Sequence, residues 1–231
     1  MMTLQVNQTF RSIQGEGYWV GTPAVFVRFQ GCSIGCPWCD TEFAQRPDPN
    51  KYITLQDLVE ALVSLGSLGS HLVITGGEPT EQPEGLEALL HKVADSCYRV
   101  EIETSIPNEE AAKHLDFLHS RFGNLWITMS PKSPVGMALG IVAVLRSNRR
   151  ILKVVAGSAK LQQVDQELDE KAKARGWSLP WGRLFAQPIW LLGHVPESYL
   201  ADQDTQELIA WVARHQHWRL SLQIHKLLGI V

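Results

Sequence analysis

Residues Ala24–Thr41 read AVFVRFQGCSIGCPWCDT. An apolar run rich in Val and Phe stops at a polar, glycine-bearing loop that holds Cys32, Cys36 and Cys39. The same layout recurs down the chain. HLVI leads into TGGEPT, YRVEI into ETS, LWITM into SPK and RLFA into QP. RILKVVAG and WRLSLQI are two more strand-like runs. Between the runs, LQDLVEALVSL, GLEALLHKVAD, AKLQQVDQELDEKAKARG and TQELIAWVARHQ place apolar residues three and four apart, as helices do. Thr54 and Pro83 are suitable helix starts. Strands alternating with helices predict an α/β fold with a parallel sheet, either doubly wound or an incomplete barrel. In both, polar strand-end motifs gather on one face, where ligands bind. The stretch SPVGMALGIVAVLRSNRR gives no clear periodicity.

The totals narrow the function classes. A net charge of -3 offers no broad field for nucleic-acid phosphates, so no polyanionic partner is expected. No apolar run approaches the roughly 18 residues of a membrane span, and the N-terminus carries no basic and apolar leader, so a soluble cytoplasmic protein is expected. We expect one domain over residues 1–231. Of four cysteines, three crowd one loop and Cys97 stands apart. A reducing compartment disfavours disulfides, which leaves metal or thiol chemistry. Glycine, serine and proline in the loop prevent a continuous apolar face, and a structural zinc site lacks a fourth ligand at suitable spacing. A [4Fe–4S] cluster on three thiolates keeps one iron open for chemistry. Cys97 reads as a small buried hydrophobe, and the histidines before His225 read as surface or helix positions.

The spacing CxxxCxxC, with Trp38 before the last cysteine and TGGEP at Thr75–Pro79, resembles the radical S-adenosylmethionine superfamily. The resemblance implies an incomplete (β/α) barrel with about six parallel strands. It also implies S-adenosylmethionine on the open iron and a 5′-deoxyadenosyl radical on reduction, with a flavodoxin or ferredoxin as electron donor. Gly76 and Gly77 permit close backbone approach, and Glu78 suits an ammonium group.

A narrower resemblance covers nearly the whole chain. FRSIQGEG (10–17), the CDT tripeptide ending at Thr41, TGGEPT, ETS, SPK and the late QIHK are together similar to the 7-carboxy-7-deazaguanine synthase family. This implies conversion of 6-carboxy-5,6,7,8-tetrahydropterin to 7-carboxy-7-deazaguanine with loss of ammonia, in 7-deazapurine and queuosine biosynthesis, with Mg2+ as a further cofactor. Substrate contacts are then expected from Ile13, Gln14, Gly15, Glu16, Arg28, Thr75, His225 and Val231. Cofactor contacts are expected from Trp38, Asp40, Gly77, Glu78, Glu103, Ser105, Ser130, Pro131, Lys132 and Gln187. Chemistry supports several of these. Gln14 and Glu16 can face an amino-pyrimidinone edge, Arg28 inside a strand needs a carboxylate partner, and the Thr41 hydroxyl is a hard donor for Mg2+ or else a helix cap. Glu16 is the one acid or base to consider. A homodimer is expected by resemblance, using apolar positions around Trp211 and Trp218. Two positions depart from the family pattern. Ile106 stands where glycine is usual, which questions the loop geometry, and Arg149 and Arg150 stand where acidic residues are expected.

Overall fold

The computed structural model describes residues 2–190 and 195–230. In chain order the strands are β1 (Thr3–Ile13), β2 (Pro23–Phe29), β3 (Tyr52–Thr54), β4 (His71–Thr75), β5 (Arg99–Thr104), β6 (Leu125–Met129), β7 (Arg150–Val155), β8 (Leu184–Gln187) and β9 (Trp218–Leu220). The helices are α1 (Leu55–Ser64), α2 (Pro83–Val93), α3 (Glu109–Arg121), α4 (Pro134–Arg146), α5 (Ser158–Arg175), α6 (Pro196–Ala201), α7 (Gln203–Arg214) and α8 (Ile224–Leu227). All strands join one open sheet in the order β3-β1-β2-β4-β5-β6-β7-β8-β9. From β2 to β9 every pairing is parallel. That makes seven parallel strands, where about six were expected. β1 pairs antiparallel with both β2 and β3. No helix among the described residues is long and apolar enough to cross a membrane.

Strand periodicity divides the sheet's side chains between two faces. Val25, Val27, Leu72, Ile74, Val100, Ile102 and Leu152 lie in the main core, together with Leu62, Leu89, Leu118, Ile141 and Leu168 from the helices. The intervening residues Phe26, Arg28, Thr75, Glu103 and Lys153 line a cleft on the other face. Thr54 caps α1 by accepting from the Asp57 N–H at 3.1 Å, and Pro83 occupies the first turn of α2. The unreadable stretch after Ser133 is α4. It is apolar nearly all round because its glycines press into the core: a Cβ on Gly136 would stand 2.7 Å from the Ile106 carbonyl, and one on Gly140 would stand 3.1 Å from Leu152.

Both departures have structural answers. Ile106 adopts φ +51°, so the glycine-like geometry survives in a β-branched residue. Its side chain is 2% exposed, and this burial offsets backbone strain of about 1–3 kcal/mol. The Arg149 guanidinium donates to the carbonyls of Phe122 (2.9 Å) and Leu125 (2.8 Å), tying down the chain after α3, while Arg150 pairs with Asp116 at 2.5 Å. The expected dimer surface needs correction. Trp211 and Trp218 are 5% and 3% exposed, and their indole N–H groups donate to Gln162 and Asp165 of the same chain. They belong to the core of the chain itself.

Candidate active site

The cleft opens at the carboxyl ends of the parallel strands and encloses about 380 Å³. The cysteine loop forms its mouth. Where β2 ends, the Gln30 amide donates to the carbonyls of Phe43 and Arg46, while Gly31 and Cys32 donate backbone N–H groups to Ala44 and Gln45. Both ends of the excursion are thereby pinned. Cys32, Cys36 and Cys39 are half-buried, free, and line the cleft. Burial raises the thiol pKa of Cys32 and Cys36. The N–H groups of Ile34 and Gly35 oppose this at Cys32, and the Lys132 charge opposes it at Cys36. Cys97 lies in the helix-side core, 6% exposed, with its Sγ 3.5 Å from the Ser67 carbonyl. Three thiols on one loop pinned at both ends suit a cluster with one iron left to another ligand.

The TGGEP turn abuts that loop. Gly76 and Gly77 have φ of +70° and +49°. A Cβ on Gly77 would stand 2.2 Å from the Gly31 carbonyl, so glycine is needed for the contact between the two loops. Glu78 is a structural tie. Its Oε1 accepts from Thr80 N, Thr80 Oγ1 and Thr104 Oγ1, and its Oε2 accepts from Ser105 N and Ser105 Oγ. Five donors saturate a carboxylate only 2% exposed, leaving little for the ammonium it was expected to meet. The Ser130 hydroxyl is buried without a partner beside the cleft, and Lys132 is half-buried there. Pro131 is not on the cleft wall; its ring backs onto α4, 3.2 Å from where a Gly140 Cβ would be.

On the opposite wall, Gln14 lies at 3% exposure with its amide Nε2 donating to Glu101 (3.2 Å) and Glu103 (3.0 Å), while its Oε1 accepts from the Glu16 N–H. Gly15 makes room for His225: a Cβ there would fall 2.1 Å from the imidazole Nδ1. Glu16 accepts from Lys153 and, at 2.7 Å, from Gln223. Burial would raise its pKa, but the Lys153 charge and hydrogen bond overcome this and lower it to about 2. A carboxylate so held is a fixed charge and a poor proton acceptor. Burial also lowers the His225 pKa, against the pull of Glu16. Thr75 donates its hydroxyl to Glu103 at 2.6 Å.

Arg28 stands between these walls, flanked by the Phe10 and Phe43 rings at 5.7 and 5.8 Å. Its Nε is buried without a hydrogen-bond partner, and among the described residues no carboxylate forms an ion pair with it. Thr41 precedes the 3-10 turn Glu42–Ala44 yet makes no capping bond; its Oγ1 lies 3.6 Å from Cys39 Sγ. Glu16, Asp40 and His225 each bring a ligand atom within 4.8 Å of the others. Lys153, Lys226 and Gln223 already satisfy the two carboxylates, so the trio works as a charge network.

Of the residues expected at the site, only Pro131 lies off the cleft wall, and Val231 falls outside the described residues. Among the members missed are Lys153, inside the apolar run RILKVV, Gln223, and the rings of Phe10, Phe26 and Phe43. Gln223 donates to both Glu16 and Asp40, and Lys226 pairs with Asp40 at 2.9 Å, so α8 and the turn before it tie the first loop to the cysteine loop.

The family model described as the radical SAM superfamily matches residues 26–151. The 7-carboxy-7-deazaguanine synthase of Prochlorococcus marinus is 32% identical, over 99% of this chain and 98% of its own. The chain belongs to this family. The 7-carboxy-7-deazaguanine synthase of Escherichia coli K12 is 30% identical over 99% of this chain and the whole of the relative. The crystal structure of QueE from Escherichia coli superposes with a TM-score of 0.62 at 27% identity, covering 96% of this chain and 94% of that one. The protein is thus a radical SAM enzyme, whose cofactors are a [4Fe–4S] cluster and S-adenosylmethionine. The donor set fits both groups, with three thiols on one loop and an unpartnered buried hydroxyl, Ser130, beside it.

Proposed function

We propose that the enzyme converts 6-carboxy-5,6,7,8-tetrahydropterin to 7-carboxy-7-deazaguanine with release of ammonia, supplying 7-deazapurine or queuosine biosynthesis. The observation that carries this is Arg28, which lines the cleft with its Nε buried and without a hydrogen-bond partner and with no carboxylate paired to it, in a cleft that also presents Glu16 and Glu103. A planar acid with an amino-pyrimidinone ring matches both ends: its carboxylate completes Arg28 and its ring N–H groups meet the acidic wall. Phe10 and Phe26, stacked at 4.8 Å, supply apolar surface beside Arg28.

Cys32, Cys36 and Cys39 would hold the cluster, and Gly77, Ser105, Ser130 and Lys132 would hold the cofactor. When bound, the cluster and S-adenosylmethionine supply the hydrogen-abstracting radical. The chain's own residues orient the pterin and exclude water. Thr75 and Gln14 fix Glu103, Lys153 keeps Glu16 charged, and His225 closes against Gly15. The Thr41 hydroxyl, which caps nothing, is a hard oxygen for Mg2+ at the substrate carboxylate. Flavodoxin or ferredoxin would reduce the cluster, and a homodimer in the cytoplasm is the expected state.

The test is anaerobic turnover of 6-carboxytetrahydropterin by reconstituted enzyme. The expected result is a deazaguanine product with S-adenosylmethionine regenerated. Accumulation of 5′-deoxyadenosine without that product would overturn the assignment.

A further inference from the structure

Beneath the acidic wall of Glu16 and Glu103 lies a further carboxylate that the proposed chemistry does not use. Glu101 is two residues before Glu103 on β5, faces the same side, and is 1% exposed. Its Oε1 accepts from Thr128 Oγ1 at 2.5 Å, and its Oε2 accepts from Gln14 Nε2 at 3.2 Å. His71, the first residue of β4 and 3% exposed, brings Nε2 within 3.2 Å of the same oxygen, inside ion-pair range though off the hydrogen-bond axis. A surface or helix position was expected for this histidine; it is instead buried on a strand beside Glu101. Burial opposes the charge of Glu101, but His71, Thr128 and Gln14 hold its pKa below the ordinary range. Burial pushes the pKa of Glu103 up, against the pull of Lys153.

The Gln14 amide sits between these two acids with both N–H groups given to carboxylates and its oxygen given to the Glu16 N–H. An amide donating twice in this way can neither flip nor rotate without breaking a charge-assisted bond. We propose that Glu101, gripped by His71 and Thr128, is a positioning residue that locks the Gln14 amide and thereby presets Glu16 and Glu103, the two carboxylates offered to the substrate ring. Gln14 is then a strut between acids, and Glu101 acts through it without touching substrate. This rests on the pterin reading of the cleft.

Binding of 6-carboxypterin, followed by its own fluorescence, to cluster-loaded enzyme with S-adenosylmethionine tests the idea. Glu101→Leu should weaken binding about tenfold or more and raise KM to match, since a buried donor loses a charged partner, with kcat within about threefold. Glu101→Gln keeps an acceptor in place and should restore most of the affinity, a rescue that loss of packing alone would not give. Unchanged binding by Glu101→Leu, or a crystal structure of that variant with the Gln14 amide undisturbed, overturns the proposal. Should Glu101→Leu fail to take up a cluster, Thr128→Val removes only the grip on Oε1; about threefold weaker binding supports the proposal and unchanged binding overturns it. If the unaltered enzyme does not bind 6-carboxypterin, the substrate reading falls before any substitution is made, while the Gln14 geometry in the variant crystal still decides the positioning role.

Discussion

Along β5, Val100 and Ile102 are buried in the helix-covered core, while the alternating Glu101 and Glu103 point to the other side, Glu103 onto the cleft and Glu101 to Gln14 beneath it. All four are at most intermediate in exposure, so burial alone does not separate them. On the helix side the requirement is volume: Ile102 must fill space among neighbours that cannot all move. On the cleft side it is pairing, since each buried acid needs donors and a counter-charge. One step along the chain exchanges one requirement for the other. Damage to the helix face should therefore appear as lost stability alone, whereas damage to the cleft face should appear as lost chemistry, with stability lost as well where a buried charge is stranded.

The largest effect should come from the loop that crowns the cleft face. Cys32→Ala, Cys36→Ala or Cys39→Ala should each abolish the cluster, read as iron content and visible absorbance, whereas Cys97→Ala, on the helix side, should retain it. A cluster lost in Cys97→Ala would break the division. Next is Lys153→Met, which strands the buried Glu16 carboxylate and should cost about 3–5 kcal/mol in urea unfolding. The pair also has a pH signature. Glu16 falls from its ordinary 4.5 to about 2 in the fold, so its contribution is fully present above pH 4.5 and is lost as pH falls toward 2. The stability gap between the unaltered protein and Glu16→Gln should shrink across that window.

A finer comparison uses adjacent residues. Ile102→Ala should cost about 2–5 kcal/mol and leave the substrate KM unchanged, because the loss is a cavity among α-helices. Glu103→Gln should cost under about 1 kcal/mol yet raise KM: its carbonyl can still accept from Gln14, the Thr75 hydroxyl can turn to accept from the new amide N–H, and the charge is gone. Similar KM values for the two variants would blur the contrast. The smallest effect on stability belongs to Thr41→Val. It breaks no cap, so unfolding should shift by less than about 0.5 kcal/mol. Turnover should nonetheless lose its response in a Mg2+ titration.

The helix-facing half of the sheet was the legible half. Runs such as HLVI and LWITM carry enough β-branched and aromatic residues to declare strands β4 and β6. β1 went unread because TLQVNQTFRSI alternates with mostly polar partners at a sheet margin, where few positions are fully buried. α3 was readable in principle, since Ala111, Leu115 and Leu118 recur on one face, but its surface of charge and histidine masked a three-residue stripe. α4 hid for the opposite reason, being apolar on every side. At the site, the cysteines and glycines announced themselves because few other residues can do their work. Lys153 did not, since a lysine within RILKVV resembles a strand-edge charge until Glu16 is seen beside it. Nor could spacing reveal that the Glu78 carboxylate turns inward to hold Thr104 and Ser105.

The tie between α8 and the first loop also sets an order of events during synthesis. Gln223 reaches back across 207 residues to Glu16, and Ser221 across 204 to Gly17. About 180 residues are translated after Cys39 before Gln223 exists. At roughly 5–20 residues per second this takes on the order of ten to forty seconds. Throughout that interval Asp40, beside Cys39, lacks the contacts that Gln223 and Lys226 give it in the finished fold. Closure across so long a span is also entropically the hardest contact to form, which makes it a late step. The cysteine loop is thus tied to the first loop only at the end of synthesis, whereas a permuted chain that began with α8 would carry that tie from the start.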